Sequence, residues 1–171
     1  DLGSRFLAFA YPVESEVQVK EILSSLRKEY FDARHHCFAY RIGPSGERWR
    51  VNDDGEPSST GGKPILGQIL SNELSDILIV VVRYFGGVKL GVPGLIRAYR
   101  AAAADAIANA VPVERTACAK FEISYDYLDM NRAMKIVKDN NFRVSGQQFD
   151  SICRMTAEVP LSAIPAFEEA F

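Results

Sequence analysis

Two polar positions followed by the apolar run Phe6–Ala10, in which side chains vary from bulky to small, give Ser4–Ala10 a pattern that suits a strand. A helix follows: Ser15 and Gln18 form a capping-box pattern, and Val19, Ile22, Leu23, Leu26 and Tyr30 recur at helical spacing. Cys37–Ile42 and Gly46–Val51 read as strands, joined into a hairpin by the turn Gly43-Pro44-Ser45-Gly46. Residues 52–63 hold almost nothing apolar and three glycines, so they predict a loop of a length usually kept for function. Pro64 then opens a short helix turning Ile65, Leu66, Ile69 and Leu70 inward. The stretch 76–84 contains the unbroken aliphatic run 77–82 and predicts a central strand buried on both faces. Gly86, Gly87, Gly91 and Gly94 punctuate the loop after it. Pro93 starts the longest helix, with Leu95, Tyr99, Ala102, Ala106 and Ala110 on one face, and Pro112 closes it.

Residues 111–115 read as a linker, and the pattern then restarts. A strand (116–125), a helix (128–139), a turn at Asn140-Asn141, two strands (142–149 and 152–159) and a helix from about Leu161 follow in order. This is βαββα, the ferredoxin-like order without its last strand, since the sequence stops at Phe171. The expected class is therefore α+β, with one domain at 1–112 and a smaller one at 113–171.

Composition narrows the function classes. The chain has 171 residues, 47% of them hydrophobic and 11% aromatic, which is too apolar for disorder. Net charge is −2, so binding nucleic acid by bulk charge is excluded, though a local basic patch is not. The aliphatic run at 77–82 is far short of the ~20 residues of a membrane span. Cys37, Cys118 and Cys153 suit neither a disulfide framework nor a zinc site. With no charged-then-apolar leader in view, the expected compartment is the cytoplasm. Charge is unevenly distributed: Arg83–Arg100 carries Arg83, Lys89, Arg97 and Arg100 and no acidic residue.

Three constellations could carry chemistry. The loop from Asp53 to Lys63 mixes carboxylates, hydroxyls, glycines and a lysine. A P-loop would need glycine and Ser/Thr where Pro57 and Pro64 stand, so that motif fails. Backbone N–H groups of Gly61 and Gly62 could still meet an anion at the following helix. Asp53, Asp54 and Glu56 could hold a hard cation, but EF-hand spacing is absent. A solvated, self-capped loop is the plain alternative. His35 and His36 are neighbours, so on a strand they point to opposite faces and cannot ligate one metal from one side. Either is a structural imidazole, a ligand contact or a base toward Ser58, Ser59 or Thr60. In the third constellation, 83–100, Arg83, Lys89 and Arg97 could pair with phosphates while Tyr84 and Phe85 stack on bases. The alternative there is tight strand–helix packing with solvated arginines. The glycine spacing does not match the dinucleotide fingerprint, and no metal or cofactor is expected.

These strings, Asp32-Ala33-Arg34-His35-His36-Cys37, Asp53-Asp54-Gly55-Glu56-Pro57 through Pro64, and Val81–Gly87 through Tyr99, resemble the YigZ/IMPACT family. The resemblance covers residues 4 to about 112 closely and the remainder more loosely. It implies an N-terminal α/β domain like that of a ribosomal small-subunit protein and of elongation factor G domain IV, followed by a ferredoxin-like domain. It also implies a cytoplasmic protein linked to translation, with RNA, the ribosome, a translation factor or a scaffold protein as partner. The family positions carried over are His35, His36, Asp54, Gly55, Glu56, Pro57, Thr60, Gly62 and Pro64, with Arg83, Tyr84, Gly86, Gly87, Lys89, Gly91, Gly94 and Tyr99. Ser59 replaces a usual glycine, Gly61 a usual alanine, and Val92-Pro93 a usual Thr-Gly.

The expected function is a non-enzymatic binding protein engaging RNA, ribosome or translation factor through a basic glycine- and aromatic-rich surface. The expected ligand-binding residues are His35, His36, Asp54, Glu56, Thr60, Gly62, Lys63, Arg83, Tyr84, Gly86, Gly87, Lys89, Gly91, Gly94 and Arg97. Two alternatives stay open: an enzyme acting on a small phosphorylated or peptide substrate around His35, Asp54 and Lys63, and a protein–protein adaptor. Oligomeric state does not follow from the sequence.

Overall fold

A strand with aliphatic side chains on both faces needs cover on both sides, and Ile77–Tyr84 receives it from two layers of helix. In the computed structural model, which describes residues 1–171, the chain divides into two units, Asp1–Val113 and Glu114–Phe171. The first unit runs β1 (Arg5–Pro12), α1 (Glu16–Glu29), β2 (His35–Ile42), β3 (Arg48–Asn52), α2 (Gly62–Ser71), β4 (Ile77–Tyr84) and α3 (Gly91–Ala108). Its sheet has the order β1-β4-β2-β3, every neighbouring pair antiparallel. β1 and β2 therefore run parallel with β4 inserted between them, and α1 makes the crossover.

Alternation along β4 and β2 separates two cores. Val80, Val82, Phe38, Tyr40 and Ile42 pack with Val19 and Leu26 of α1. Ile79, Val81, Cys37 and Ala39 pack with Ile65 and Ile69 of α2 and with Leu95, Tyr99 and Ala103 of α3. At about 1.5–3 kcal/mol per buried aliphatic side chain, these two faces supply most of the drive to fold the unit.

Element boundaries differ from the sequence expectation where a cap comes from elsewhere. Helix α2 begins at Gly62 rather than Pro64, because Asp53, at the start of the same loop, satisfies the N–H groups of Gly61 and Gly62. Helix α3 begins at Gly91, with Pro93 in the first turn, and ends at Ala108, where the Asn109 amide turns back onto the Asp105 carbonyl. Its buried face is Gly94, Leu95, Tyr99 and Ala103; Ala110 is exposed. At the start of α1, Ser15 accepts from the Gln18 N–H, while the Gln18 side chain reaches the N–H of Glu14.

The second unit runs β5 (Cys118–Asp126), α4 (Met130–Asp139), β6 (Arg143–Gln148), β7 (Ile152–Pro160) and α5 (Ile164–Ala170). Its antiparallel sheet has the order β5-β7-β6, so the whole chain is α+β. Ile123, Met155, Ala157 and Val159 of the sheet meet Ala133 and Val137 of α4 and Phe167 of α5. Lys120, Glu122, Ser124 and Asp126 alternate with them and face water. Three strands and two helices in this order make a ferredoxin-like arrangement without a fourth strand. No helix in either unit is long and apolar enough to cross a membrane. All three cysteines are free; Cys37 and Cys153 are buried, Cys118 exposed.

Candidate functional site

The C-terminal end of β4 and the N-terminal end of β2 lie side by side, with His35 opposite Arg83 in register. The loop between β3 and α2 folds over this end of the sheet and delivers Glu56 into it. Glu56 accepts hydrogen bonds at one oxygen from Arg83 Nη1 (2.6 Å) and from the Tyr99 hydroxyl (2.7 Å). His35 Nε2 stands 3.7 Å from the other oxygen. His35 Nδ1 lies 2.8 Å from the Asp54 carbonyl oxygen; a carbonyl can only accept, so that nitrogen carries the proton. Arg83 is 4% exposed, reaches Ser4 Oγ at 3.3 Å, and lies 5.5 Å from the ring centres of Phe6 and Phe85.

Asp53 and Asp54 hold the loop in shape. The Asp53 carboxylate accepts from the N–H groups of Ser59 (2.8 Å), Gly61 (3.0 Å) and Gly62 (2.8 Å). The anion cradle expected at Gly61-Gly62 thus exists, and the protein's own carboxylate fills it. Asp54 accepts from the His36 N–H at 2.7 Å and pairs with Arg27 of α1 at 3.3 Å. Its backbone is left-handed at φ 44°, as is that of Ser59 at 67°. A left-handed position favours glycine, so Ser59 stands where glycine would fit without strain. Gly61 is closed in: an added Cβ would stand 2.7 Å from Cys37 Sγ.

The electrostatics of this cluster are those of a sealed network. Burial pushes the Cys37 thiol up to about 12, and burial with the neighbouring Cys37 and Glu56 drives the Tyr99 hydroxyl far above the phenol range. A thiol so disposed is protonated at neutral pH and is no nucleophile. Burial, aided by the Arg27 charge, lowers the His36 pKa, and His36 Nε2 is buried with no hydrogen-bond partner. His35 and His36 sit on opposite faces of β2, one toward Glu56 and the other toward Arg27 and Asp54. No group of three or more His, Cys, Asp or Glu side chains converges in metal-binding geometry.

The remaining expected residues divide by exposure. Thr60 is buried, its hydroxyl donating to the Pro57 carbonyl at 2.6 Å, and Gly62 is buried beside Asn52. Tyr84 donates to Asp32 at 2.9 Å and carries the Arg5 guanidinium 5.4 Å from its ring centre. Gly86 packs on the backbone of Gly3 so closely that an added Cβ would stand 2.0 Å from Gly3 C. Gly87 and Gly91 take φ of 88° and 74°, and Gly94 packs on Leu90. These glycines shape the turn from β4 into α3. Lys63, Lys89 and Arg97 are exposed, and no carboxylate lies within ion-pair distance of them.

Lys63 shares a groove of ≈ 390 Å³ between α2 and α3 with Arg100, Ser59, Gln68 and Ser71, and Pro64 and Ile96 complete its wall. No acidic residue lines it. Sequence reasoning separated Lys63 from Arg100 because they fall in different segments. It also left out Arg27 and Ser4, and read Asp53 only as a possible cation ligand rather than as the acceptor for the Ser59, Gly61 and Gly62 N–H groups. The Ser4 contact is set by pairing of β1 with β4 and has no local signal at all.

The chain as a whole is similar to known proteins. The Impact N-terminal domain family matches residues 2–107. IMPACT family member YvyE of Bacillus subtilis is 32% identical, the match covering 97% of this chain and 76% of that protein. Protein IMPACT of Xenopus laevis is 36% identical over 96 residues, 53% of this chain and 30% of its own length. A solved structure described only as that of a hypothetical protein superposes with a TM-score of 0.73 at 28% identity, covering 96% of this chain and 81% of its own.

Proposed function

The chain belongs to the IMPACT family, and from that premise we propose that it is a non-enzymatic binding protein linked to translation, whose ligand is RNA, free or within the ribosome. The observation that carries this reading is the contrast in charge satisfaction within one unit. The groups that would do acid–base or nucleophilic work are held within the protein and largely buried: His35 by the Asp54 carbonyl, Asp54 by the His36 N–H, Glu56 by Arg83 and Cys37 by the Asp53 carbonyl. Lys63, Lys89, Arg97 and Arg100, by contrast, are exposed and have no carboxylate partner. Unpaired cations in an acid-free groove favour a polyanion, whose condensed counterions are released on binding.

In this reading Lys63 and Arg100 hold phosphates in the groove, Lys89 and Arg97 extend the surface, and Gly87 and Gly91 keep the β4–α3 turn open to a backbone. Arg83 contributes by fixing Glu56 and Phe85 rather than by touching ligand. Four neutralised phosphates on a single strand give log K against log salt a slope of about −3. Fluorescence anisotropy of a labelled single-stranded RNA across a salt series measures it. Salt-insensitive binding, or binding unaltered in Lys63→Ala/Arg100→Ala, defeats the proposal.

A further inference from the structure

The basic groove is not the only exposed feature with nucleic-acid chemistry. The single tryptophan of the chain, Trp49, is the second residue of β3 and is 60% exposed. β3 is the outer strand of the first sheet, paired with β2 on one side and open on the other. Trp49 lies between Arg48 and Arg50, both exposed and both without an ion-pair partner.

The register sorts these three side chains. Arg48 and Arg50 oppose Ile42 and Tyr40, on the α1 face of the sheet; Trp49 opposes Arg41, on the face covered by α2 and α3. Arg41 is tied to the Leu74 and Ser45 carbonyls and is not free for a ligand. Two carboxylates stand nearby, both bonded to neutral donors and neither in an ion pair with the arginines. Glu47 accepts from the N–H and hydroxyl of Ser45, and Glu16 accepts from the Tyr40 hydroxyl at 2.6 Å. Charged residues on an open edge are a common protection against strand pairing, and arginine alone would suffice for that. An indole left mostly in water between two unpaired arginines adds nothing to such protection. It offers instead a π-face beside two phosphate-binding groups.

We propose that the edge of β3 is a stacking platform for single-stranded RNA, with one base on Trp49 and adjacent phosphates on Arg48 and Arg50. The inference rests on the RNA-binding reading above and narrows the ligand to a single strand. Two residues along a strand separate Arg48 from Arg50 by about 6.6 Å, a spacing suited to successive phosphates of an extended chain. A strand of RNA lying along the edge has its phosphates toward one face of the sheet and a base toward the other, the division that alternation in β3 provides. A duplex keeps its bases stacked inside and cannot use the indole.

The tryptophan is its own reporter. Titration of the full chain with a short oligouridylate should quench Trp49 emission, saturating at the concentrations that saturate anisotropy of the same labelled oligomer. The oligomer annealed to its complement should leave the emission unchanged. Trp49→Ala should weaken oligouridylate binding about tenfold, while Trp49→Phe, which keeps a ring, recovers most of it. Lys63→Ala/Arg100→Ala should weaken binding but retain the quenching at saturation. If the RNA binds by anisotropy while Trp49 emission and the Trp49→Ala affinity stay unchanged, the platform is wrong and the RNA-binding reading stands. If no RNA binds at low salt, both fall. Quenching by polyglutamate in preference to RNA assigns the edge to an acidic peptide strand and overturns the platform.

Discussion

Arg83 and Arg100 bound the same acid-free stretch of sequence and have opposite physical roles. Arg83 closes β4, is buried, and donates to Glu56 at 2.6 Å beside two aromatic rings. Arg100 lies on the outer side of α3, exposed, in a groove with Lys63 and no carboxylate. The difference comes from which loop reaches each of them. The residues from Asp53 to Gly61 bring Glu56 to Arg83, and nothing acidic is brought to Arg100. A cation in this stretch is therefore bonded in the interior or left unpaired in water according to its tertiary neighbours, whatever its sequence company.

The largest effect belongs to the buried half of the comparison. Glu56→Ala leaves Arg83 without a counter-charge in a dry site and should cost about 3–5 kcal/mol, read from urea denaturation. Glu56→Gln keeps an acceptor for Tyr99 and should cost less. A loss below about 1 kcal/mol for the alanine variant would erase the distinction between the two arginines.

Asp53 comes next. Asp53→Ala strands the N–H groups of Ser59, Gly61 and Gly62 and should cost about 2–3 kcal/mol by the same measurement. The variant also empties the anion cradle at the start of α2. Sulfate should therefore raise the midpoint of Asp53→Ala more than that of the parent chain. Equal gains in sulfate would show that Asp53 does not hold a cradle an anion can use.

A smaller effect tests the α1 side of the network. Burial lowers the pKa of His36 from its ordinary 6.5, so the unfolded chain binds its proton more readily than the folded one. The His36 contribution to stability is accordingly complete above pH 6.5 and is lost as pH falls from there toward the folded pKa. Unfolding midpoints measured between pH 8 and 5 should decline in that window, and His36→Gln should flatten the decline. A decline unchanged by the substitution assigns it to other groups.

How much of this was legible beforehand depends on the range of the contact. The succession of elements along each half and the double burial of β4 follow from local periodicity, and the sequence expectations match them closely; the order of strands within each sheet does not follow from it. Helix starts were misplaced by two residues at α2 and α3 because the cap of α2 is the Asp53 carboxylate, folded back from the far end of the same loop, and α3 turns directly out of a glycine loop. The site was legible as a set of strings and not as a set of roles. Nothing local says that Asp53 fills the cradle that Gly61 and Gly62 offer, or that Ser4 supports Arg83 across paired strands. Likewise Lys63 and Arg100 meet only because α2 packs beside α3 on one face of the sheet.

The exposed half of the comparison should barely register in stability. Lys63→Ala/Arg100→Ala removes two solvated cations with no ionic partner, so the urea midpoint should shift by no more than about 0.5 kcal/mol equivalent. Its effect should appear only in ligand. With two fewer phosphates neutralised, the slope of log K against log salt should become shallower by about 1.4, from roughly −3. Arg83→Lys is the matching control from the buried half: a point charge replaces a guanidinium fork, so it should lower stability while leaving the salt slope of any folded protein unchanged. If the control alters the slope and the groove variant does not, the two arginines have exchanged roles, and the ligand surface lies at the Glu56 end of the sheet.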